Sequence, residues 1–258
     1  MAQVRALVLR SPGANCDQEA AFALEAVGAA VELAHINRLR ENPGLLDQYQ
    51  ILLIPGGFTY GDDVAAGKIL AHQLRFFLRD ALERFRTAGN LILGICNGFQ
   101  VLLKAGLLIP PDAQGDIPAT LTYNADGRFS DRWVAMGVPL MHHCPFLADY
   151  AQLAAPIAHG EGRFLCQDEA TLQALERAGQ LVLRYIPGRG QAPGVAYNPN
   201  GSQADVAGLC DPTGRVLGLM PHPERHFLPH HHPQWTRRGV AEHGDGWRLF
   251  RNAVRYFE

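Results

Sequence analysis

The stretch "LILGICNGFQVLL" runs from Leu91 to Leu103 and joins a strand pattern directly to a helix pattern. Its first residues are apolar without interruption, as expected for a strand that is covered on both faces of a sheet. After Gly98, apolar residues return at helical spacing. A lone cysteine, Cys96, stands between Gly94 and Gly98 at the junction. The form G-x-C-x-G predicts a sharp strand–turn–helix elbow with a thiol at its apex.

The position of Cys96 favours a reactive thiol. The unpaired N–H groups and the positive dipole end of the following helix would face the sulfur and favour its thiolate form. The alternative is a buried cysteine that packs as a small hydrophobic residue, which is common for free cysteines. The strand–turn–helix context favours the nucleophile.

A thiolate nucleophile needs a base, and the base needs a group that orients it. Among eleven histidines, His222 directly follows the apolar stretch "RVLGLM" and stands between Pro221 and Pro223. The carboxyl end of a strand is where α/β sheets gather their ligands. Glu224, two residues on, could accept the second imidazole N–H. Alone, "PHPE" would indicate a rigid surface turn, but together with Cys96 it predicts a catalytic triad.

The first half of the chain alternates strand and helix patterns, which predicts a parallel sheet with helices on both faces. A loose capping box, Asn15 with Gln18, predicts a helix start, and apolar spacing predicts one long helix over Val64–Thr87. After Pro110 the patterns indicate antiparallel strands. We expect an α/β fold with a mostly parallel sheet and a small antiparallel layer, as a single domain over 1–258. Strand patterns cover Val4–Arg10, Ala30–Ile36, Ile51–Pro55, Asn90–Ile95, Ala119–Phe129, Arg132–Val138, Leu181–Ile186, Asp205–Cys210 and Arg215–Met220.

Composition excludes several function classes. The formal net charge is -2 without a basic patch, which argues against a nucleic-acid partner. The apolar stretch Leu91–Ile109 is interrupted by Asn97, Gln100 and Lys104, so no membrane span is expected. Five scattered cysteines without a C-x-x-C pair favour a reducing, cytoplasmic location.

No cofactor or metal site is expected on this chain. "GDDVAAGKI" (Gly61–Ile69) resembles a phosphate loop, but Ile69 stands where Ser or Thr would bind magnesium. Its Asp62 and Asp63 are instead expected to begin the long helix, where negative charge meets the helix dipole. Three successive histidines, His230–His232, cannot all face one ion, so they indicate a solvated loop. ATP chemistry would belong to another polypeptide.

Six stretches together resemble the class I (triad) glutamine amidotransferases, which have a flavodoxin-like fold. Within that family they are most similar to the glutaminase subunits that serve phosphoribosylformylglycinamidine synthase. "GICNGFQ" combined with "MPHPER" is typical of this group. The matching stretches are "SPGANCD", "LLIPGGFTYGDD", "LGICNGFQVL", "PIAHGEGRF", "DVAGL" and "GLMPHPER".

The resemblance implies roles for individual residues. Cys96 would attack the carboxamide carbon of L-glutamine, His222 would act as acid and base, and Glu224 would orient His222. The backbone N–H groups of Gly57 and Asn97 would hold the oxyanion. The amino-acid end of the substrate would be framed by further residues, namely Gln100, His159 and Gly160.

The resemblance also implies partners. These are an ATP-dependent synthetase subunit (PurL), which would use ATP and Mg, and a small bridging subunit (PurS). Ammonia would pass to formylglycinamide ribonucleotide in purine biosynthesis. Two alternatives stay open: a glutaminase that serves a different synthetase, and a catalytically silent regulatory module of the same fold.

Overall fold

The computed structural model describes residues 3–188, 194–239 and 241–258. The strands are β1 (Arg5–Arg10), β2 (Ala30–His35), β3 (Ile51–Ile54), β4 (Leu91–Ile95), β5 (Ala119–Thr122), β6 (Ser130–Gly137), β7 (Gln152–His159), β8 (Arg163–Cys166), β9 (Leu183–Ile186), β10 (Val206–Cys210) and β11 (Val216–Leu219). The α-helices are α1 (Asp17–Ala26), α2 (Ile36–Glu41), α3 (Lys68–Phe77), α4 (Arg79–Thr87), α5 (Asn97–Lys104), α6 (Glu169–Arg177), α7 (Trp235–Arg238) and α8 (Trp247–Arg255).

Nine strands form the main sheet in the order β2-β1-β3-β4-β11-β10-β9-β6-β7. The part from β2 to β11 is parallel, and the strands beyond β11 pair antiparallel. β5 and β8 form a separate antiparallel pair. The predicted α/β fold, with a mostly parallel sheet and a small antiparallel layer, is therefore confirmed.

The central strands are apolar because both of their faces are covered. Every residue of β3, β4 and β11 is buried. Parallel strands present their carboxyl ends at one edge of the sheet. The segments that follow these strands therefore meet there: Pro55–Gly57 after β3, Cys96 after β4 and Met220–His222 after β11.

No strand was predicted over β7, which contains Pro156. Proline cannot donate to a ladder and is tolerated mainly on edge strands. β7 is the last strand of the main sheet and pairs with β6 alone. It brings His159 to the edge where the other predicted residues lie.

The predicted long helix over Val64–Thr87 was wrong. Two helices occur instead. α3 begins after Gly67, which has a φ of 72°, and the helical conformation is interrupted at Leu78 before α4 begins. The Leu78 side chain is buried, so the apolar spacing continues through the break and conceals it. Asp62 and Asp63 do not begin a helix; Asp62 lies in a turn with a φ of 53°.

Two smaller predictions were also wrong. Asn15 and Gln18 form no capping box, since α1 is preceded by Cys16 without a side-chain cap, and Asn15 Oδ1 accepts from the Cys16 thiol instead. His232 is not solvated: it is 7% exposed and its ring lies 4.5 Å from that of Trp133. Among the helices formed by 3–188, 194–239 and 241–258, none has the length and apolar character needed to cross a bilayer.

Candidate active site

Cys96 sits in the predicted elbow between β4 and α5. Its backbone has a φ of 52° and a ψ of −106°, a conformation that non-glycine residues rarely adopt. The flanking glycines permit this turn: a Cβ on Gly98 would lie 1.9 Å from the carbonyl oxygen of Ile54, and one on Gly94 would lie 2.6 Å from that of Gly98. Packing of α5 on the sheet thus stabilises a strained cysteine at the carboxyl end of β4.

His222 and Glu224 come to the same place from β11. The backbone N–H of Cys96 donates to Leu219 O at 2.8 Å, and that of His222 donates to Pro156 O at 2.8 Å. Nδ1 of His222 lies 2.6 Å from Oε1 of Glu224, and both side chains are buried. The carboxylate therefore fixes one ring nitrogen and leaves Nε2 available for proton transfer.

The charge state of His222 depends on both neighbours. Burial by itself lowers the pKa of His222, but Glu224 and the Cys96 sulfur favour the imidazolium and raise that pKa well above its usual value. Within the described residues, Nε2 has no hydrogen-bond partner of good geometry. The arrangement favours a protonated His222, which can donate a proton to a leaving group.

The two predicted oxyanion donors follow the neighbouring strands β3 and β4. The carbonyl of Gly56 accepts from the backbone N–H groups of Asn15 (3.3 Å) and Cys16 (3.2 Å). In a trans peptide the N–H points opposite to the carbonyl, so the Gly57 N–H faces away from those residues. No hydrogen bond among the described residues uses it. Asn97 is the first residue of α5, where backbone N–H groups lack intrahelical partners.

The Asn97 side chain ties the two donor segments together. Its Oδ1 accepts from Thr59 N (3.2 Å) and Thr59 Oγ1 (2.7 Å), and its Nδ2 donates to Gln100 Oε1 (2.8 Å). Gln100 Nε2 in turn donates to Glu161 O at 2.5 Å. Both ends of the Gln100 amide are thus held by protein groups, and its contact with substrate stays a prediction.

His159 and Gly160 lie at the end of β7, beside the elbow. The Cys96 thiol lies 3.8 Å from Ala158 O, so this strand end contacts the sulfur. His159 is 3% exposed, its Nδ1 lies 3.1 Å from Asn124 Oδ1, and its Nε2 is buried without a hydrogen-bond partner among the described residues. Burial and the charge of His222 lower its pKa to about 4. The ring is therefore neutral, and its contact with substrate stays a prediction. Gly160 O accepts a hydrogen bond from Asn124 N at 2.8 Å.

Cys16 and Arg225 also lie at this site, and the sequence analysis predicted neither of them. Cys16 is 2% exposed, and its sulfur accepts from Arg225 Nη2 at 3.1 Å. Cys16 Sγ, a ring nitrogen of His222 and a carboxylate oxygen of Glu224 lie within 4.8 Å of one another. Their positions in "SPGANCD" and "MPHPER" give no sign of this contact, since the two stretches are about two hundred residues apart and only the fold joins them.

Comparison with known proteins agrees with this geometry. The family of CobB/CobQ-like glutamine amidotransferase domains matches residues 3–257. The PurQ subunit of phosphoribosylformylglycinamidine synthase from Dehalococcoides mccartyi is 42% identical over 258 residues, 99% of this chain and 98% of that protein, and the one from Treponema denticola is 44% identical over 243 residues, 87% and 88%. A chain in the structure of PurLQS from Thermotoga maritima matches with a TM-score of 0.74 and 32% identity over the whole of both chains. The family expected from the motifs is confirmed, and the chain belongs to the glutamine amidotransferases, in the group of PurQ subunits.

Proposed function

We propose that the chain is the glutaminase subunit of a phosphoribosylformylglycinamidine synthase, with Cys96, His222 and Glu224 as its catalytic triad. The observation that carries the proposal is the meeting of an elbow cysteine with a buried, carboxylate-oriented histidine at one edge of a parallel sheet. The full-length similarity to PurQ subunits supports this assignment over a glutaminase for another synthetase.

The reaction begins when the Cys96 thiolate attacks the carboxamide carbon of L-glutamine. The N–H groups of Gly57 and Asn97 hold the oxygen that becomes negative. His222 gives its proton to the leaving nitrogen, ammonia departs, and a Cys96 thioester forms. His222 then removes a proton from water, which attacks the thioester and releases glutamate. Glu224 keeps the ring in the useful tautomer throughout.

The ammonia is delivered to a partner, an ATP-dependent synthetase subunit. The similarity to a chain in a PurLQS structure supports such a complex, and a small bridging subunit is the further partner that this similarity suggests. The synthetase would use ATP and magnesium, and we expect this chain to need no cofactor of its own. Five free thiols fit a reducing, cytoplasmic location.

The turn after Gly57 is where the partner controls the reaction. Tyr60, Gly61 and Asp62 have φ values of 57°, 71° and 53° in succession, so the turn stores backbone strain. Phe58 and Val64, on either side of it, are 46% and 65% exposed. A synthetase that covers these apolar side chains would hold the turn in one conformation and so fix the direction of the Gly57 N–H donor.

The test is steady-state glutamine hydrolysis by the purified chain, first alone and then with the synthetase, the bridging subunit and nucleotide. A donor aligned only in the complex predicts activation by about 10²–10³-fold. Equal rates alone and in the complex would disprove the coupling. Absence of glutaminase activity in both would disprove the function, and activation by a different synthetase alone would favour the alternative partner.

A further inference from the structure

Asn124 anchors the loop that follows β7. It lies just beyond β5 and is 3% exposed, and no motif of the candidate site includes it. Its Nδ2 donates to His159 O at 2.9 Å and to Arg128 O at 2.8 Å. Its Oδ1 accepts from Gly162 N at 3.1 Å, and its backbone N–H donates to Gly160 O at 2.8 Å. Backbone partners at both ends of the amide therefore fix which end carries the oxygen.

The orientation of this amide determines the tautomer of His159. Oδ1 of Asn124 lies 3.1 Å from Nδ1 of His159. The ring is neutral, since burial and the charge of His222 lower its pKa to about 4. A neutral ring carries a hydrogen on only one of its nitrogens, and an amide oxygen can only accept, so the hydrogen is on Nδ1. Nε2 of His159 is therefore left as a hydrogen-bond acceptor.

Nε2 of His159 has no donor from which to accept. It is buried without a hydrogen-bond partner among residues 3–188, 194–239 and 241–258, and a buried acceptor in that state is costly. Gly162 covers the ring so closely that a Cβ there would lie 2.1 Å from Cε1 and 2.4 Å from Nδ1, so the ring is held in place. The preceding carbonyl, Ala158 O, lies 3.8 Å from the Cys96 sulfur. A ligand at the candidate site that offers an N–H donor would satisfy this acceptor.

We propose that Asn124 is a positioning residue that holds His159 as a hydrogen-bond acceptor for the α-ammonium group of glutamine. Glutamine has N–H donors only on its carboxamide and its ammonium group. The proposed reaction holds the carboxamide at Cys96, which leaves the ammonium group for a second acceptor. A neutral imidazole suits this group, because a protonated ring would repel it. The inference rests on the proposed function and gives His159 a part in substrate selection.

The tautomer is measured in the full-length wild-type protein by ¹⁵N NMR of its histidine rings, with the His159 signals identified by their loss in His159→Gln. We expect a protonated Nδ1 and an unprotonated Nε2 at neutral pH. Asn124→Ala removes the acceptor, so the ring should shift towards the Nε2–H form. Asn252→Ala is the matched control, since Asn252 is also buried and its Nδ2 donates to the carbonyls of Phe146 and Ala148, outside the candidate site. A protonated Nε2 in the wild-type protein would overturn the proposal, even if Asn124→Ala failed to fold.

The ligand group is tested with glutaramate, which is glutamine without its α-amino group. In the Cys96→Ala protein, which keeps the site but lacks the nucleophile, added glutamine should shift the Nε2 resonance of His159, and glutaramate should not. Glutamine that binds without shifting this resonance would overturn the proposal.

The kinetic test compares the two substrates in the reconstituted synthase. Asn124→Ala should lower the ratio of kcat/KM for glutamine to that for glutaramate by about 10- to 100-fold, as expected for one hydrogen bond to a charged group. Asn252→Ala should leave the ratio unchanged. Equal losses for both substrates in folded Asn124→Ala would overturn the assignment to the ammonium group. A protein that shows the Nε2 shift with glutamine but never hydrolyses it would refute the proposed glutaminase and leave this contact standing.

Discussion

Nδ1 of His222 lies 2.6 Å from Oε1 of Glu224, and neither side chain is more than 2% exposed. A buried carboxylate this close stabilises the imidazolium and fixes which ring nitrogen faces the reaction. The same contact gives the buried Glu224 side chain a hydrogen-bond partner, and a buried polar group without one would be costly. The pair therefore determines both the proton acceptor and its direction.

Glu224→Gln should lower kcat for glutamine hydrolysis by about 10²–10³-fold, and His222→Ala by about 10⁴-fold. The amide keeps the shape of the carboxylate but removes its charge, and its N–H₂ group can hold the ring in the wrong tautomer. Steady-state kinetics in the complex measures both. Equal and complete loss in the two folded variants would mean that Glu224 does more than orient His222.

Gly56→Ala should lower kcat by about 10²-fold without unfolding the protein. The added Cβ would lie 2.7 Å from Cε1 of His222, so the ring must move away from Cys96, and displacements of about 1 Å can cost that much. Gly44→Ala is the matched control, since its added Cβ would meet no atom closer than 3.5 Å. Wild-type kcat in Gly56→Ala would contradict the position of the ring.

Asn97→Ala should reduce kcat by about 10²-fold with a smaller change in KM. It removes the two hydrogen bonds that hold Thr59, two residues beyond the Gly57 donor. Thr59→Val removes the 2.7 Å hydroxyl contact alone and should have a smaller effect. If Thr59→Val were as damaging as Asn97→Ala, the hydroxyl itself would be required for another purpose.

The buried His159 ring should make the free energy of unfolding depend on pH in the acid range. Its pKa falls from 6.5 to about 4 on folding, so the unfolded chain takes up a proton at a higher pH than the folded chain. The free energy of unfolding then decreases by about 3 kcal/mol in total as the pH falls from 6.5 to 4. His159→Gln should reduce the pH dependence of the free energy of unfolding across this window, measured by urea denaturation. Substitution of the exposed His72 controls for removal of any histidine, and an unchanged slope in His159→Gln would refute a buried neutral ring.

Most of the fold was predictable because its signals are local. The apolar runs of β3 and β4 indicate buried strands, and the glycines around Cys96 indicate a tight turn. Each of these signals lies within a few residues of sequence. The break between α3 and α4 was not predictable, because Leu78 is buried and the apolar spacing continues through it from one helix to the next. Strand β7 was concealed by Pro156, whose tolerance depends on an edge position that only the assembled sheet defines.

The candidate site divides in the same way. Cys96, His222 and Glu224 follow strands and could be found from their motifs. Cys16 reaches His222 only because β1 and β11 lie in one sheet with their carboxyl ends at the same edge. The side-chain bonds from Asn97 to Thr59 likewise join segments from different strands, which sequence spacing does not reveal.

The most direct test of the central claim is Cys96→Ala in the reconstituted synthase, assayed with glutamine and separately with ammonium salts as nitrogen donor. Only Cys96 can form the thioester, so glutamine-dependent product formation should disappear. Ammonia-dependent formation should continue at the wild-type rate, because the synthetase site is untouched. Glutamine-dependent synthesis near the wild-type rate would contradict the assignment of Cys96 as the nucleophile.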